Sequence, residues 1–213
     1  MVASFRETLL SKARIAGLSL SDRQMASFET HRRLLQQWGR RMNLTGLKDE
    51  EAIVNRHFLE PIAISDLLGD DGKLVDLGSG NGFPAVPLKV MHPGLDLVLV
   101  EASEKKSAFL WAVIREIGLK GTRVETRRVA RVDDLGDLLP CRYLTLRAIR
   151  TASLFSGASL PILRPDGRAL FFVTHGQAET LRGRPIPGLR FSGTRQLPSD
   201  PQSVVAIFEP ETV

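Results

Sequence analysis

The chain has 213 residues, of which 43% are hydrophobic and 25% charged, and 29 basic against 24 acidic residues give a net charge of +5. This length allows one sizeable core, and the mild positive charge is compatible with a polyanionic partner without requiring one. The single cysteine, Cys141, excludes an internal disulfide and a cysteine-based zinc site, and we expect a buried thiol there. No apolar run is long enough to span a membrane and no signal peptide is evident, so we expect a cytoplasmic protein.

The first part of the chain has a helical pattern. Apolar spacing predicts an amphipathic helix from Val2 to Ala16, and a capping box at Ser21–Gln24 opens a second helix that runs to about Arg40. Asp49 is placed to cap a further helical segment, which passes a junction at Pro61 and ends near Leu68. We therefore expect residues 1–72 to form a helical extension on a core of residues 73–213.

Basic side chains crowd the second predicted helix, and no acidic residue nearby in sequence balances them. They form either a solvated face or a surface that binds phosphates. The residues concerned are His31, Arg32, Arg33, Arg40 and Arg41.

The most informative stretch is Lys73–Pro84, where a short apolar run leads into glycines at positions 78, 80 and 82. A strand that breaks into a Gly-rich turn and feeds a helix is typical of nucleotide-binding sites, because glycine allows a sharp turn and close ligand approach, but the same pattern also occurs in tight turns without a ligand. No Gly-Lys-Ser/Thr follows, so the turn is not a phosphate loop. Asp76 can orient the turn or attract a cationic amine, and Glu101 ends the second strand where a carboxylate can accept hydrogen bonds from ribose hydroxyls.

From residue 73 onward, strands alternate with helices, which predicts a mostly parallel sheet covered by helices on both faces. Ligands in such sheets bind beyond the carboxyl ends of the strands. The predicted strands are 73–78, 96–101, 122–126, 143–146 and 168–173. The predicted helices are 83–91, 104–117, a short one at 131–135, and 151–163. A turn is predicted at 164–167, and a hairpin is predicted from strands 189–196 and 204–208. The segments that follow strand ends are Gly78–Phe83, Glu101–Ser103, Arg128–Arg131, Arg147–Arg150 and Val173–Gln177.

Several motifs closely resemble those of the bacterial ribosomal RNA small-subunit methyltransferase G family, also called glucose-inhibited division protein B. The motifs are Asp76–Leu88, Asn43–Thr45, Arg56-His57, Glu101–Lys106, Arg128-Val129 and Leu146–Ala148. The resemblance implies a Rossmann-like class I methyltransferase that uses S-adenosylmethionine to form N7-methylguanosine in small-subunit ribosomal RNA. It also implies no bound metal, and we expect a monomer whose partner is that RNA or the small subunit.

The resemblance and the strand-end positions together assign the candidate site. Expected cofactor contacts are Asp76, Gly78, Gly80, Phe83, Glu101, Ser103, the Val129 and Ala130 backbone, and Arg147. Arg128, Arg147 and His175 are expected to position the substrate, with no general base. Two positions depart from the family pattern: Pro61 stands where the family has Ser, and His175 where it has Lys.

Two other functions remain open at this stage. One is methylation of another RNA or of a small molecule, and the other is a non-catalytic RNA-binding protein of ribosome assembly with the same fold. The intact glycine turn and Glu101 argue against the non-catalytic protein.

Overall fold

The structure is a computed structural model, and it describes residues 4–147 and 154–211. The helices are α1 (Phe5–Ile15), α2 (Asp22–Gly39), α3 (Glu50–Ile53), a π-helical turn (Val54–Leu59), α4 (Glu60–Ala63), α5 (Ala85–Met91), α6 (Glu104–Ile117) and α7 (His175–Arg182), with 3-10 turns at Ser65–Leu67 and Val132–Leu138. The strands are β1 (Lys73–Leu77), β2 (Asp96–Glu101), β3 (Thr122–Thr126), β4 (Cys141–Arg147), β5 (Leu163–Thr174), β6 (Leu189–Gln196) and β7 (Ser203–Pro210).

The seven strands form one sheet in the order β3-β2-β1-β4-β5-β7-β6. Strands β1 to β5 run parallel, whereas β7 is antiparallel to both of its neighbours. The predicted fold, a mostly parallel Rossmann-like sheet between helices, is confirmed. The carboxyl ends of the three neighbouring strands β2, β1 and β4 therefore lie side by side at one edge of the sheet.

Alternation along the strands divides the apolar side chains between two cores, one on each face of the sheet. On β1, Leu74 belongs to the core that contacts α1, α2 and α6, whereas Val75 and Leu77 face the core beneath α7. The residues before β1 therefore share one continuous core with the sheet.

Most predicted elements are confirmed to within a few residues. The capping box at Ser21 and Gln24 opens α2, Asp49 caps α3, and Gly118 ends α6 in a left-handed conformation. Cys141 is buried, as expected, and burial raises the pKa of its thiol to about 12.

The helix predicted at 151–163 is wrong from residue 155 onward, whereas Leu154 is helical. Residues 151–153 lie outside the described ranges, residues 155–162 form turns and irregular chain, and Leu163 begins β5. Pro161 cannot donate a helical hydrogen bond, and the N–H of Cys141 donates to Ile162 O, which continues the pairing of β4 with β5.

The predicted turn at 164–167 is also wrong, because these residues extend β5 past a register shift in its pairing with β4. Gly167 makes this possible: a Cβ at that position would lie 2.8 Å from Arg142 O.

Candidate functional site

The glycine turn follows β1 with all three glycines in left-handed conformations, at φ 68° for Gly78, 54° for Gly80 and 85° for Gly82. Such φ values favour glycine, which explains the residue type at each position. The N–H groups of Gly78 and Ser79 donate to Val100 O on the neighbouring strand at 2.9 and 3.1 Å. The turn is therefore attached to the end of β2, next to Glu101.

Glu101 closes the turn from β2. Its Oε2 accepts a hydrogen bond from Gly80 N at 2.8 Å, and its Oε1 accepts one from Ser103 N at 2.8 Å. The carboxylate, 7% exposed, is thus held at the predicted position, and a ribose there would share or replace these N–H contacts. Ser103 itself caps α6 through its hydroxyl.

Asp76 lies under the turn and is 1% exposed. Its Oδ1 accepts a 2.6 Å hydrogen bond from Thr145 Oγ1, while Oδ2 has no partner among the described residues. Burial raises the pKa of this carboxyl to about 6, against hydrogen bonds from Thr145 and Ser79 that lower it. A buried acceptor without a partner fits the ammonium group of S-adenosylmethionine, so the residues present suit that cofactor.

Phe83 lies at the base of the turn rather than on its open side. Its ring is 4% exposed and stacks between His31 and His57, with both centroid distances 4.4 Å. The ring therefore supports the turn, and a direct contact between Phe83 and the cofactor stays a prediction.

Val129 and Ala130 follow β3, and their backbone was expected to contact the cofactor. The N–H of Ala130 donates to Asp134 Oδ2 at 2.8 Å, and Val129 packs against the core beneath α7. Contact between the cofactor and the backbone of these two residues also stays a prediction.

Arg147, at the end of β4, is held by the helices that precede β1. Its Nη2 pairs with the fully buried carboxylate of Glu60, its Nη1 donates to Arg56 O at 2.6 Å, and its guanidinium lies 4.6 Å from the ring centroid of Phe172. Ser199 Oγ donates to the other oxygen of Glu60. Glu60 is not among the site residues expected from the sequence, because its pairing with Arg147 spans 87 residues of chain and leaves no local signal.

A cavity of about 830 Å³ opens beside this ion pair. Arg56, Glu60 and Arg147 form one wall, with the ends of β4 and β5, α7 and residues 184–187 around the rest. Its other notable lining side chains are Phe155, Phe172, Thr174, Gln177, Thr180 and Arg184. Of these, the sequence singled out only Thr174 and Gln177, as part of a strand-end segment.

The three residues predicted to position the substrate do not converge. Arg147 lines the cavity, Arg128 is exposed after β3, and His175 begins α7 with its Nε2 3.0 Å from Gln196 Oε1. His175 is not one of the residues that line the cavity.

The basic surface predicted on α2 is largely neutralised by distant acids. Arg32 pairs with Glu50 and Arg33 with Glu116, so the absence of a nearby acid in sequence was misleading. His31 is fully buried and is not part of a surface. Of the five basic residues named from the sequence, only Arg40 and Arg41 are exposed and have no ion pair with any described residue.

No described group of three or more His, Cys, Asp or Glu residues could hold a metal ion. None of the described helices is both long and apolar enough to cross a membrane.

Comparison with known proteins agrees with this geometry. The profile of the family described as "rRNA small subunit methyltransferase G" matches residues 24–185. Proteins named ribosomal RNA small subunit methyltransferase G from Roseiflexus sp. (strain RS-1) and Roseiflexus castenholzii are 39% and 37% identical, over 77% and 84% of this chain and 71% and 77% of theirs. A solved ribosomal protein L11 methylase from Lactobacillus delbrueckii subsp. bulgaricus shares the fold, with a TM-score of 0.57 and 11% identity over 78% of this chain and 81% of that one.

Proposed function

Because the chain belongs to the ribosomal RNA small subunit methyltransferase G family, we propose that it transfers a methyl group from S-adenosylmethionine to N7 of a guanine in small-subunit ribosomal RNA. A non-catalytic protein of this fold would not need to bind S-adenosylmethionine. The proposal therefore depends on an intact glycine turn after β1, which we call the cofactor turn. Gly78, Gly80, Glu101 and Asp76 supply that turn with suitable geometry.

One observation carries the proposal: the cofactor turn and the cavity meet at adjacent strand ends. Leu77 on β1 pairs with Leu146 on β4, so the next residues, Gly78 and Arg147, begin the turn and the cavity wall side by side. A base in the cavity would thus lie next to a cofactor on the turn. The cavity volume of about 830 Å³ is large enough for an extruded nucleotide.

The chemistry needs no general base. The bound sulfonium supplies an activated methyl group, and guanine N7 already carries an in-plane lone pair. As the N7–carbon bond forms, the carbon–sulfur bond breaks with its electrons left on sulfur, and the positive charge passes to the purine. The chain has to orient N7, exclude water and bear the cost of extracting the base, about a few kcal/mol.

The ion pair between Glu60 and Arg147 suits this charge movement. An uncompensated guanidinium beside the base would oppose positive charge on the purine, whereas Glu60 neutralises Arg147 in the cavity wall. Gln177 is placed to contribute to base recognition: its Oε1 already accepts from Thr174 N at 2.9 Å, which leaves its NH₂ group to donate to guanine O6.

The two remaining predicted residues, Arg128 and His175, suit contacts with the RNA backbone, as does Arg184, which the sequence did not single out and which lines the cavity. Arg128 and Arg184 are exposed cations on either side of the site, and His175 lies at the start of α7. We assign these three to phosphate contacts, which add affinity without reading sequence.

The direct test is product analysis. The protein is incubated with labelled S-adenosylmethionine and small-subunit RNA, or small subunits, that lack the modification, and nucleosides are identified by mass spectrometry. N7-methylguanosine is expected. Label on another base, or only on a small metabolite, would contradict the proposal, and failure of the native protein to bind S-adenosylmethionine would favour the non-catalytic function.

A second experiment separates RNA from small-molecule substrates. Reversing the charges of Arg40 and Arg41 should weaken RNA binding and reduce its salt dependence, because these exposed cations are free to neutralise phosphates. Arg190 is the control, because it lies on the edge strand β6 and pairs with Glu209. Reversal of its charge should leave RNA affinity unchanged. Equal RNA binding by all variants would favour a small-molecule substrate.

A further inference from the structure

We infer that His31 and His57 are positioning residues for the cofactor turn, and that the helices before β1 therefore control affinity for S-adenosylmethionine. The inference rests on cofactor binding at the turn and not on which base is methylated. Neither histidine was expected to have this role, and neither lines the cavity.

Three rings form a continuous stack at the base of the turn. Phe83, the first residue after the turn, lies between His31 of α2 and His57 of the π-helical turn, with interplanar angles of 10° and 5°. Phe58 contacts the stack edge-on, 5.0 Å from Phe83. His31 is fully buried and His57 is 8% exposed, so the stack is packed on all sides.

Hydrogen bonds join the same histidines to the chain on both sides. His31 Nε2 lies 2.9 Å from Asn81 O within the turn, and Asn81 Nδ2 donates to Leu44 O at 2.9 Å. His57 Nε2 lies 2.9 Å from Thr45 Oγ1. The Asn-Leu-Thr segment, the two histidines and the turn thus form one connected network.

This network determines the tautomer of His31. Asn81 O can only accept, so Nε2 must carry the proton, and the buried Nδ1 has no partner among the described residues. A second proton on Nδ1 would be a buried donor without an acceptor. The neutral ring is therefore the one that fits, and it adds no charge beside a turn that receives a cationic cofactor.

The backbone of the turn is closely packed against the ring stack. A Cβ on Gly82 would lie 2.9 Å from Val86 Cγ2 and 3.3 Å from His31 Cε1, so the backbone is in direct contact with the histidine ring. On the opposite side, Glu101 holds Gly80 N. The N–H groups that would wrap the cofactor are thus fixed between Glu101 and the ring stack, and movement of His31 would displace them.

The test separates ring stacking from hydrogen bonding. His31→Phe keeps an aromatic ring in the stack but leaves Asn81 O without its donor, a loss of the kind that typically changes an equilibrium constant about tenfold or more. We expect the dissociation constant for S-adenosylmethionine, measured by calorimetry, to rise about tenfold, with little change in turnover at saturating cofactor. His31→Gln, whose amide can donate to Asn81 O, should recover part of the affinity.

Phe28→Leu is the matched control, because Phe28 is a fully buried residue of α2 whose ring packs edge-on against Phe58 and against none of the three stacked rings. It should lower the melting temperature and leave the dissociation constant unchanged. A second readout is independent of the variants: the His31 Nε2–H proton should be protected from exchange in NMR spectra and should shift when the cofactor is added.

The inference is wrong if His31→Phe binds S-adenosylmethionine as the native protein does while it loses stability like Phe28→Leu. Absence of a protected imidazole N–H in the native protein would also overturn it. A native protein that binds no S-adenosylmethionine would instead remove the proposed function, so the two failures are distinguishable.

Discussion

We expect the two buried histidines to make the stability of the protein fall between pH 7 and pH 5. Burial is the largest cause that lowers the pKa of His31 to about 4 and that of His57 to about 3, from 6.5, and nearby cations, Arg147 first, lower that of His57 further. Above pH 6.5 both rings are neutral in the folded and unfolded chain. Below about pH 6.5, the histidines bind protons in the unfolded chain but not in the folded chain, so unfolding becomes more favourable.

The magnitude follows from the pKa values. Each histidine costs about 1.4 kcal/mol of stability per pH unit below 6.5, or about 4 kcal/mol for the two at pH 5. Asp76 acts in the opposite direction: its folded pKa of about 6 exceeds the ordinary 3.8, so the folded chain gains a proton first as the pH falls. That gain is worth about 1.4 kcal/mol at pH 5, which leaves a net loss of about 2 to 3 kcal/mol.

Urea denaturation at pH 7 and pH 5, followed by tryptophan fluorescence, measures this loss. His31→Phe has no titrating ring at that position and should lose about 2 kcal/mol less than the native protein over the same interval. Groups that titrate elsewhere contribute equally to both proteins and cancel in the difference. Native stability that is constant or rises between pH 7 and pH 5, or an identical loss in the variant, would refute the reasoning.

Three further predictions concern single side chains. Glu60→Gln leaves the guanidinium of Arg147 buried without its counter-charge and should lower the free energy of unfolding, measured in urea, by about 3 kcal/mol. The control Glu104→Gln changes an exposed carboxylate and should alter that free energy by less than about 0.5 kcal/mol. Equal effects of the two substitutions would contradict the role of the ion pair. Glu101→Gln exchanges a carboxylate for an amide at the N–H groups of Gly80 and Ser103 and should raise the dissociation constant for S-adenosylmethionine about tenfold by calorimetry, with an unchanged constant counting against a ribose contact. Gly82→Ala combines a φ of 85° with a Cβ 2.9 Å from Val86 Cγ2 and should lower stability by about 1 to 3 kcal/mol, while Gly39→Ala, with nothing within 4 Å, should not lower it; a stable Gly82→Ala protein would show that the turn can move.

Local chemistry in the sequence determined most of the fold and the positions of several candidate site residues. Glycines with positive φ, the capping residues Ser21 and Asp49, and the alternation of apolar strands with helices each act within a few residues, so the pattern of the chain reports them directly. For the same reason Glu101 and Asp76 could be placed at the ends of their strands from spacing alone.

Only the tertiary structure decided which groups meet across the fold. Glu60 neutralises Arg147, Glu50 and Glu116 neutralise arginines of α2, and His31 turns inward to the cofactor turn, although it sits in a run of basic residues. These contacts join residues 18 to 87 positions apart, and no periodic pattern encodes them. Whether a histidine or arginine lies in water, in an ion pair or in a core depends on what packs against it, and that is settled when helices and sheet come together.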